Sequence, residues 1–340
     1  MKTRYWHGLG RFANPAGFGC WQLAGRYRVD GKPHGWSEIT GADAVRLVHR
    51  ALDHGIRFFD TAAGYGAGRS ERLLGRALAS SPFGSDAIVC TKAALSEEEV
   101  GAARAGPQLA ARVEGSLRRL GRGHVDLLLL HGPPDDTDWP NFDRSVLEAL
   151  KASGKILAFG VSSQSLSGAE RVLDAGFGTC IEWSFSLLER RPARSLFPRL
   201  GAARMDFIAR SPLARGLLTP AGGARDASGF SPDDFRSTLP TDWIAWAARS
   251  ARGMLGRNDL ADGLARTALR YCLSYDEVTA VIPGMHRGDQ VEDLVRAAEA
   301  GRLAPDLLAR LTAGIDECYP PWAEAGQEQR PAATRATSGG

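Results

Sequence analysis

Short runs of apolar and β-branched residues recur along the chain, and each is followed by a longer stretch with helical spacing. The strand-like runs are Gly17–Trp21, Arg57–Thr61, Ala87–Thr91, Val125–Leu130, Ile156–Ser162, Thr179–Phe185, Asp206–Arg210 and Val278–Ile282. Between them Val45, Val48, Leu52 and Ile56 repeat on one helical face, as do Leu109, Val113, Leu117 and Leu120, and a further stripe runs through Leu264, Ala268 and Leu269. Strands as continuously apolar as Val125–Leu130 are buried on both faces, as in a parallel sheet covered by helices. The alternation predicts an α/β chain folded as a closed (β/α)8 TIM barrel in a single domain. The competing open, doubly wound sheet would carry a Gly-rich phosphate turn after its first strand, but strand one runs into Cys20-Trp21-Gln22.

Irregular stretches interrupt the pattern. Long loops are expected after strand one, over 24–40, and after strand seven, over 219–240, with a helix following at Trp243–Leu255. The barrel is expected to occupy residues 1–319, and the Pro-, Ala-, Gly- and Ser-rich stretch 320–340 to be a disordered tail. Composition changes this picture little. With 42 basic and 39 acidic residues interspersed, the net charge of +3 calls for neither nucleic acid nor an anionic membrane as partner. The start lacks the apolar run of a signal peptide, and no apolar run is long enough to span a bilayer, so a cytoplasmic protein is expected. Cys20, Cys90, Cys180, Cys272 and Cys318 show no zinc-ligand spacing and read as reduced, mostly core thiols, with no metal site expected.

In such a barrel the chemistry sits at the carboxyl ends of the strands. Asp60 ends strand two, Tyr65 follows in the next loop, Lys92 ends strand three, and His131 follows the four leucines of strand four. Taken singly, each has a plain structural role available: a helix cap, a snorkelling lysine, a rim aromatic, a core histidine. Together on adjacent strands they suit protonation of a carbonyl oxygen. A phenol is a poor acid near neutrality, a neighbouring ammonium lowers its pKa, and a buried carboxylate holds that ammonium. A neutral imidazole can orient the same oxygen. The set contains no activated nucleophile, so the electron pair is expected as hydride from a reduced nicotinamide.

The segment Phe59-Asp60-Thr61-Ala62-Ala63-Gly64-Tyr65-Gly66, followed by Ser70-Glu71-Arg72-Leu73-Leu74-Gly75, resembles the signature of the aldo-keto reductases. Thr91-Lys92, Val125-Asp126-Leu127 to His131, Gly154-Lys155 to Gly160-Val161-Ser162, Ser211-Pro212-Leu213 with Gly216-Leu217-Leu218, and Ile282-Pro283-Gly284 with Gln290 follow in the family's order. The resemblance runs from about Gly17 to Ala300. It implies an NADP(H)-dependent oxidoreductase, with Tyr65 as general acid, Lys92 and Asp60 as its pKa-lowering pair, and His131 as the substrate-orienting donor. It further implies cofactor contacts at Ser162, Ser163, Glu182, Arg210, Ser211, Leu213, Arg215, Gly216, Gly284, His286, Arg287 and Gln290. A small carbonyl substrate would enter past Trp21, Tyr27, Trp36 and Trp139.

Several cofactor positions differ from the family's pattern. Ser163 stands where Asn is usual, Glu182 replaces Gln, Phe185-Ser186 replaces Tyr-Asn, Arg210 takes the place of a stacking aromatic, and His286 and Leu294 align with Arg and Asn. A guanidinium plane stacks as an aromatic does, and an ion pair between Glu182 and Arg210 is the arrangement expected of these two. The positive charge of Arg210 would favour NADPH over NADP+, or weaken the binding of both. The leading expectation is reduction of an aldehyde or ketone, sugar and secondary-metabolite carbonyls included. The alternatives are a lyase, dehydratase or epimerase using the same cluster without hydride transfer, or a cofactor-sensing accessory subunit.

Overall fold

The structure, a computed structural model, describes residues 3–35, 38–223, 230–255 and 262–313. The eight barrel strands are β1 (Gly17–Gly19), β2 (Phe58–Asp60), β3 (Ile88–Ala93), β4 (Val125–His131), β5 (Ile156–Ser162), β6 (Cys180–Ser184), β7 (Asp206–Arg210) and β8 (Val278–Ile282). They lie in sequence order in one sheet, and every neighbouring pair is parallel. Parallel bridges Ala16↔Val281 and Gly19↔Gly284 join β1 to β8 and close the ring. Helices α1 (Gly41–Asp53), α2 (Arg69–Ala79), α3 (Pro107–Leu120), α4 (Ser145–Ala152), α5 (Leu166–Asp174), α6 (Phe197–Ala203), α7 (Leu264–Leu273) and α8 (Gly288–Ala300) cover the outside. The expected (β/α)8 barrel is therefore the fold observed.

Strand alternation divides the core in two. Phe58, Ile88, Cys90, Leu127, Leu129, Cys180, Ile208 and Ala280 fill the barrel interior, while Phe59, Val89, Leu128, Ile181 and Phe207 point outward to the helices. The inner cluster also takes in Trp6, from an antiparallel hairpin, Arg4–Trp6 with Arg11–Ala13, that the hydrophobic pattern did not reveal. Trp6 packs on Phe58 at 4.8 Å between ring centroids, and Asp206 accepts the backbone N–H groups of His7 and Gly8, each at 2.9 Å. This hairpin stops the amino end of the barrel and leaves the carboxyl end open for chemistry.

Several expected boundaries shift by one or two residues. Strand one stops at Gly19, and Cys20–Ala24 forms a 3-10 turn instead of continuing to Trp21. Ser70 Oγ donates to the Cys20 carbonyl at 2.8 Å, replacing a ladder partner as the chain leaves the sheet. On α1 the buried face is Ala44, Leu47, Val48, Ala51 and Leu52, with Val45 only half-buried. The helix expected at Trp243–Leu255 runs from Thr241 to Leu255. Cys20, Cys90, Cys180 and Cys272 are free and buried as expected, whereas Cys318 and the stretch 320–340 lie outside the described residues. Among those residues no helix is long and apolar enough to cross a membrane, and no cluster of His, Cys, Asp and Glu could hold a metal ion.

Gly160 shows how closely β5 and β6 are fitted. A Cβ there would lie 2.0 Å from the Cys180 carbonyl oxygen, a backbone atom that cannot swing aside. Gly160→Ala is expected to destabilise the protein by about 1–3 kcal/mol, read as a lower thermal unfolding midpoint. An unchanged midpoint would mean that the two strands are not held this closely.

Candidate active site

Inward parity brings Asp60 at the end of β2 and Lys92 near the end of β3 into one layer above the apolar interior. The Lys92 side chain is fully buried, and its Nζ donates to Asp60 Oδ1, to the Thr61 carbonyl at 3.2 Å and to Tyr65 Oη at 3.4 Å. Tyr65 is held by the turn into α2. Gly68 caps that helix at φ 78°, a left-handed backbone disfavoured for other residues. Buried Glu71 then accepts from Thr91 Oγ1 at 2.7 Å and from Arg119 Nε at 2.6 Å, tying α2 to β3 and α3. These contacts account for the Ser70-Glu71 part of the motif. His131, the last residue of β4, is half-buried, with its ring 5.9 Å from that of Tyr65 at 83°. The structure thus brings all four expected cluster residues together.

A fifth ionisable group joins them. Glu182 Oε2 lies 3.3 Å from Lys92 Nζ, and Glu182 Oε1 accepts from Ser162 Oγ at 2.9 Å. The ion pair expected between Glu182 and Arg210 does not form. Glu182 points into the barrel, whereas Arg210 lies with its Cζ 4.7 Å from the centroid of Trp183 and donates to the Ser163 carbonyl at 3.2 Å. Burial, and then the Glu182 charge, push Asp60 up to about 8 against the pull of Lys92. Burial pulls Lys92 down, but Asp60 and Glu182 outweigh it and hold the ammonium well above its ordinary pKa.

The expected lowering of the Tyr65 pKa is reversed. Burial pushes the phenol up, Lys92 pulls it down, and Asp60 with Glu182 push it up again, leaving it above the ordinary tyrosine value. Burial, with the two acidic groups, outweighs the pull of the one ammonium, so Tyr65 is a neutral proton donor in this state.

The remaining positions form the rim. Ser163 Oγ donates to the Ser165 carbonyl at 2.9 Å. Ser211 and Arg215 adopt left-handed φ values of 53° and 59°, and Leu213 and Gly216 lie in the same loop after β7, which packs back on the barrel through half-buried Leu213. Non-glycine residues held in this region store strain, which concentrates at ligand-binding loops. The guanidinium of Arg215 lies 5.7 Å from the Phe235 centroid and 5.4 Å from that of Trp243. After β8, the Gln22 side chain lies against Gly284 where a Cβ would clash. Gln290 Oε1 accepts from the backbone N–H groups of His286 and Arg287 at 2.9 and 3.1 Å, capping α8. The exposed Arg287 forks onto Asp289, with both contacts at 3.0 Å.

Aromatic rings wall one side of the mouth. Trp21 is 6.4 Å from Tyr65 and 5.1 Å from Phe235, and its Nε1 donates to Tyr27 Oη at 3.1 Å. Tyr27 stacks on His34 at 5.4 Å, and His34 lies 6.0 Å from Phe235. The Phe235 N–H donates to the Gly35 carbonyl at 3.0 Å, and Arg28 pairs with Asp233 at 2.5 Å, so the loops after β1 and β7 clasp each other. Phe235 and His34 were missed from the sequence; the available signal was an aromatic residue standing alone in a polar loop. Trp36 lies outside the described residues. Trp139 does not line the mouth: it is buried on the outside of the barrel, 5.3 Å from Phe142 and 4.4 Å from Phe177. Its short 3-10 turn after β4 turns the indole back against the outer core instead of across the opening.

A closed barrel with its ionisable cluster at the carboxyl mouth places the chain in the broad class of (β/α)8 barrel enzymes. Within that class it belongs to the aldo/keto reductase family, whose model matches residues 15–316. It is 29% identical over 230 residues to the aldo-keto reductase YhdN of Bacillus subtilis, a match covering 67% of this chain and 66% of that protein. It is also 29% identical over 270 residues to L-galactose dehydrogenase of Arabidopsis thaliana, covering 76% of this chain and 79% of that one. Among solved structures, the glycerol dehydrogenase AKR11B4 of Gluconobacter oxydans superposes with a TM-score of 0.72 at 25% identity, over 94% of this chain and 97% of that chain.

Proposed function

We propose that this protein is an NADP(H)-dependent oxidoreductase that reduces the carbonyl of a small aldehyde or ketone, hydroxylated sugar-like compounds included. The observation that carries this reading is the buried Lys92 ammonium joining Asp60 to Tyr65 Oη, beside the His131 ring, at the barrel mouth. Aldo-keto reductases use NADP(H), and two of the similar proteins are named for L-galactose and glycerol oxidation–reduction. The donor set fits such a dinucleotide. Arg215, Arg236 and Arg287 bring guanidinium groups to the loops after β7 and β8, suited to phosphates. Ser162 and Ser163 close β5 at the mouth, where a nicotinamide carboxamide would be held.

The bound cofactor supplies the hydride. Tyr65 Oη donates a proton to the carbonyl oxygen, and Lys92 stabilises the phenolate that this leaves. Asp60 holds Lys92 in place, while His131 hydrogen-bonds the carbonyl oxygen and orients it. The wall of Trp21, Tyr27 and Phe235 excludes water from one side. Calorimetric titration is expected to show saturable binding of NADPH, tighter than that of NADP+ because Arg210 adds positive charge near the ring. Absence of binding by NADPH and NADH alike up to about 1 mM would overturn the reading; substrate conversion without nucleotide would instead indicate a lyase or epimerase.

A further inference from the structure

We propose that Glu182 and Asp60 hold one proton between them across the Lys92 ammonium, making Glu182 a positioning residue that keeps Tyr65 a proton donor into alkaline solution. The role in turnover rests on the function proposed above, whereas the shared proton does not.

The geometry is that of two buried carboxyls on one cation. Asp60 Oδ1 and Glu182 Oε2 both face Lys92 Nζ, and all three side chains are excluded from solvent. Asp60 Oδ2 and Glu182 Oε2 are buried without a hydrogen-bond partner, an arrangement that is costly for carboxylates. A proton placed between the two carboxyls supplies the missing bond, and contact with Glu182 already favours the acid form of Asp60. Like charges this close do not both ionise readily.

No neighbouring group removes the need for that proton. The thiols of Cys90 and Cys180, which also face the interior, and of Cys20, in the turn after β1, are pushed up by burial and stay uncharged. Ser162 donates to Glu182 from β5 without bringing charge, and His131 packs edge-on against Tyr65 from β4. Arg210, at the end of β7, lies over Trp183. Asp206, at the opposite end of the barrel, is occupied by the hairpin N–H groups.

The consequence concerns Tyr65. When the pair loses its proton as pH rises, the added negative charge makes the phenol harder to ionise, since both carboxylates push it up. With Gln at this position no such charge appears, and Asp60, still buried beside Lys92 but free of the Glu182 charge, is pushed up less than in the wild type.

Infrared difference spectroscopy of the protein without substrate or nucleotide tests the pair. The wild type should show a protonated-carboxyl band at neutral pH that disappears as pH rises through about 8, is absent from Asp60→Asn and disappears at lower pH in Glu182→Gln. Asp206, whose carboxyl is also pushed up by burial, cancels in the wild-type-minus-variant difference. The second readout is carbonyl reduction. In E182Q the alkaline limb of kcat should move down by about one pH unit, the lower end of the effect of a nearby charge. A featureless difference spectrum at neutral pH overturns the shared proton, and an unmoved alkaline limb overturns the positioning role. If E182Q does not fold, the wild-type titration and D60N decide the first point, and persistence of the band at alkaline pH overturns it. A protein that shows the band yet binds no nucleotide would refute the proposed function and leave the proton pair standing.

Discussion

Tyr65→Phe is expected to lower turnover by about 10²–10⁴-fold, the usual contribution of a positioned general acid, while leaving NADPH affinity nearly unchanged. The substitution removes one oxygen, which lies 3.4 Å from Lys92 Nζ, and keeps the ring that packs against Trp21 and His131. The wall of the mouth therefore survives and the proton donor does not. Single-turnover reduction of a carbonyl substrate, followed with saturating NADPH, measures the loss. A variant retaining turnover within about tenfold of wild type would mean that another group delivers the proton, because general acids contribute more than that. Loss of nucleotide binding would mean instead that Tyr65 has a structural role here.

Lys92→Met is expected to cost about 3–5 kcal/mol of folding stability, since removing one partner of a buried ionic cluster leaves its charges uncompensated. Here two carboxyls, Asp60 and Glu182, lose the ammonium they share. The pH dependence has a definite sign. A carboxyl whose folded pKa is raised binds protons in the native state that the unfolded chain has already released, so its stabilising contribution is full at low pH and declines as pH rises. In the wild type this decline runs from about 4, the unfolded value for aspartate, to about 8, the value to which Asp60 is pushed. Without Lys92 the Asp60 carboxyl is pushed up further, so the defect of K92M should be smallest in acid and largest in alkali. Urea unfolding midpoints across that range measure it. Adding Glu182→Gln should restore part of the loss by removing one of the stranded carboxyls. A defect independent of pH would show that packing, not charge, accounts for the role of Lys92.

Much of this was legible in the chain. The inner and outer faces of a parallel barrel are both apolar, so its strands stood out as continuous hydrophobic runs, and the helices between them as stripes. Asp60, Tyr65, Lys92 and His131 could be placed because residues just past a strand must emerge at the carboxyl mouth. The hairpin around Trp6 was not legible. Its strands are three residues each, too short to display alternation, and their burial depends on a barrel end formed by distant segments. Trp139 shows the converse. Its position after a strand suggested the mouth, but a loop can turn back, and the indole found apolar company against Phe177.

The cluster at the mouth marks the same division. Local sequence by itself determined that a phenol, an ammonium, a carboxylate and an imidazole stand at the ends of successive strands, because strand period and the direction of a parallel sheet are local properties. Only the tertiary structure decided the charge balance among them. Glu182 follows Lys92 by many residues, yet closure of the barrel brings its carboxylate to 3.3 Å from the ammonium. Electrostatic interaction depends on distance and burial, not on sequence separation. The acidity of Tyr65, expected to be enhanced, is suppressed chiefly by burial in the closed barrel, with Asp60 and Glu182 opposing the pull of Lys92.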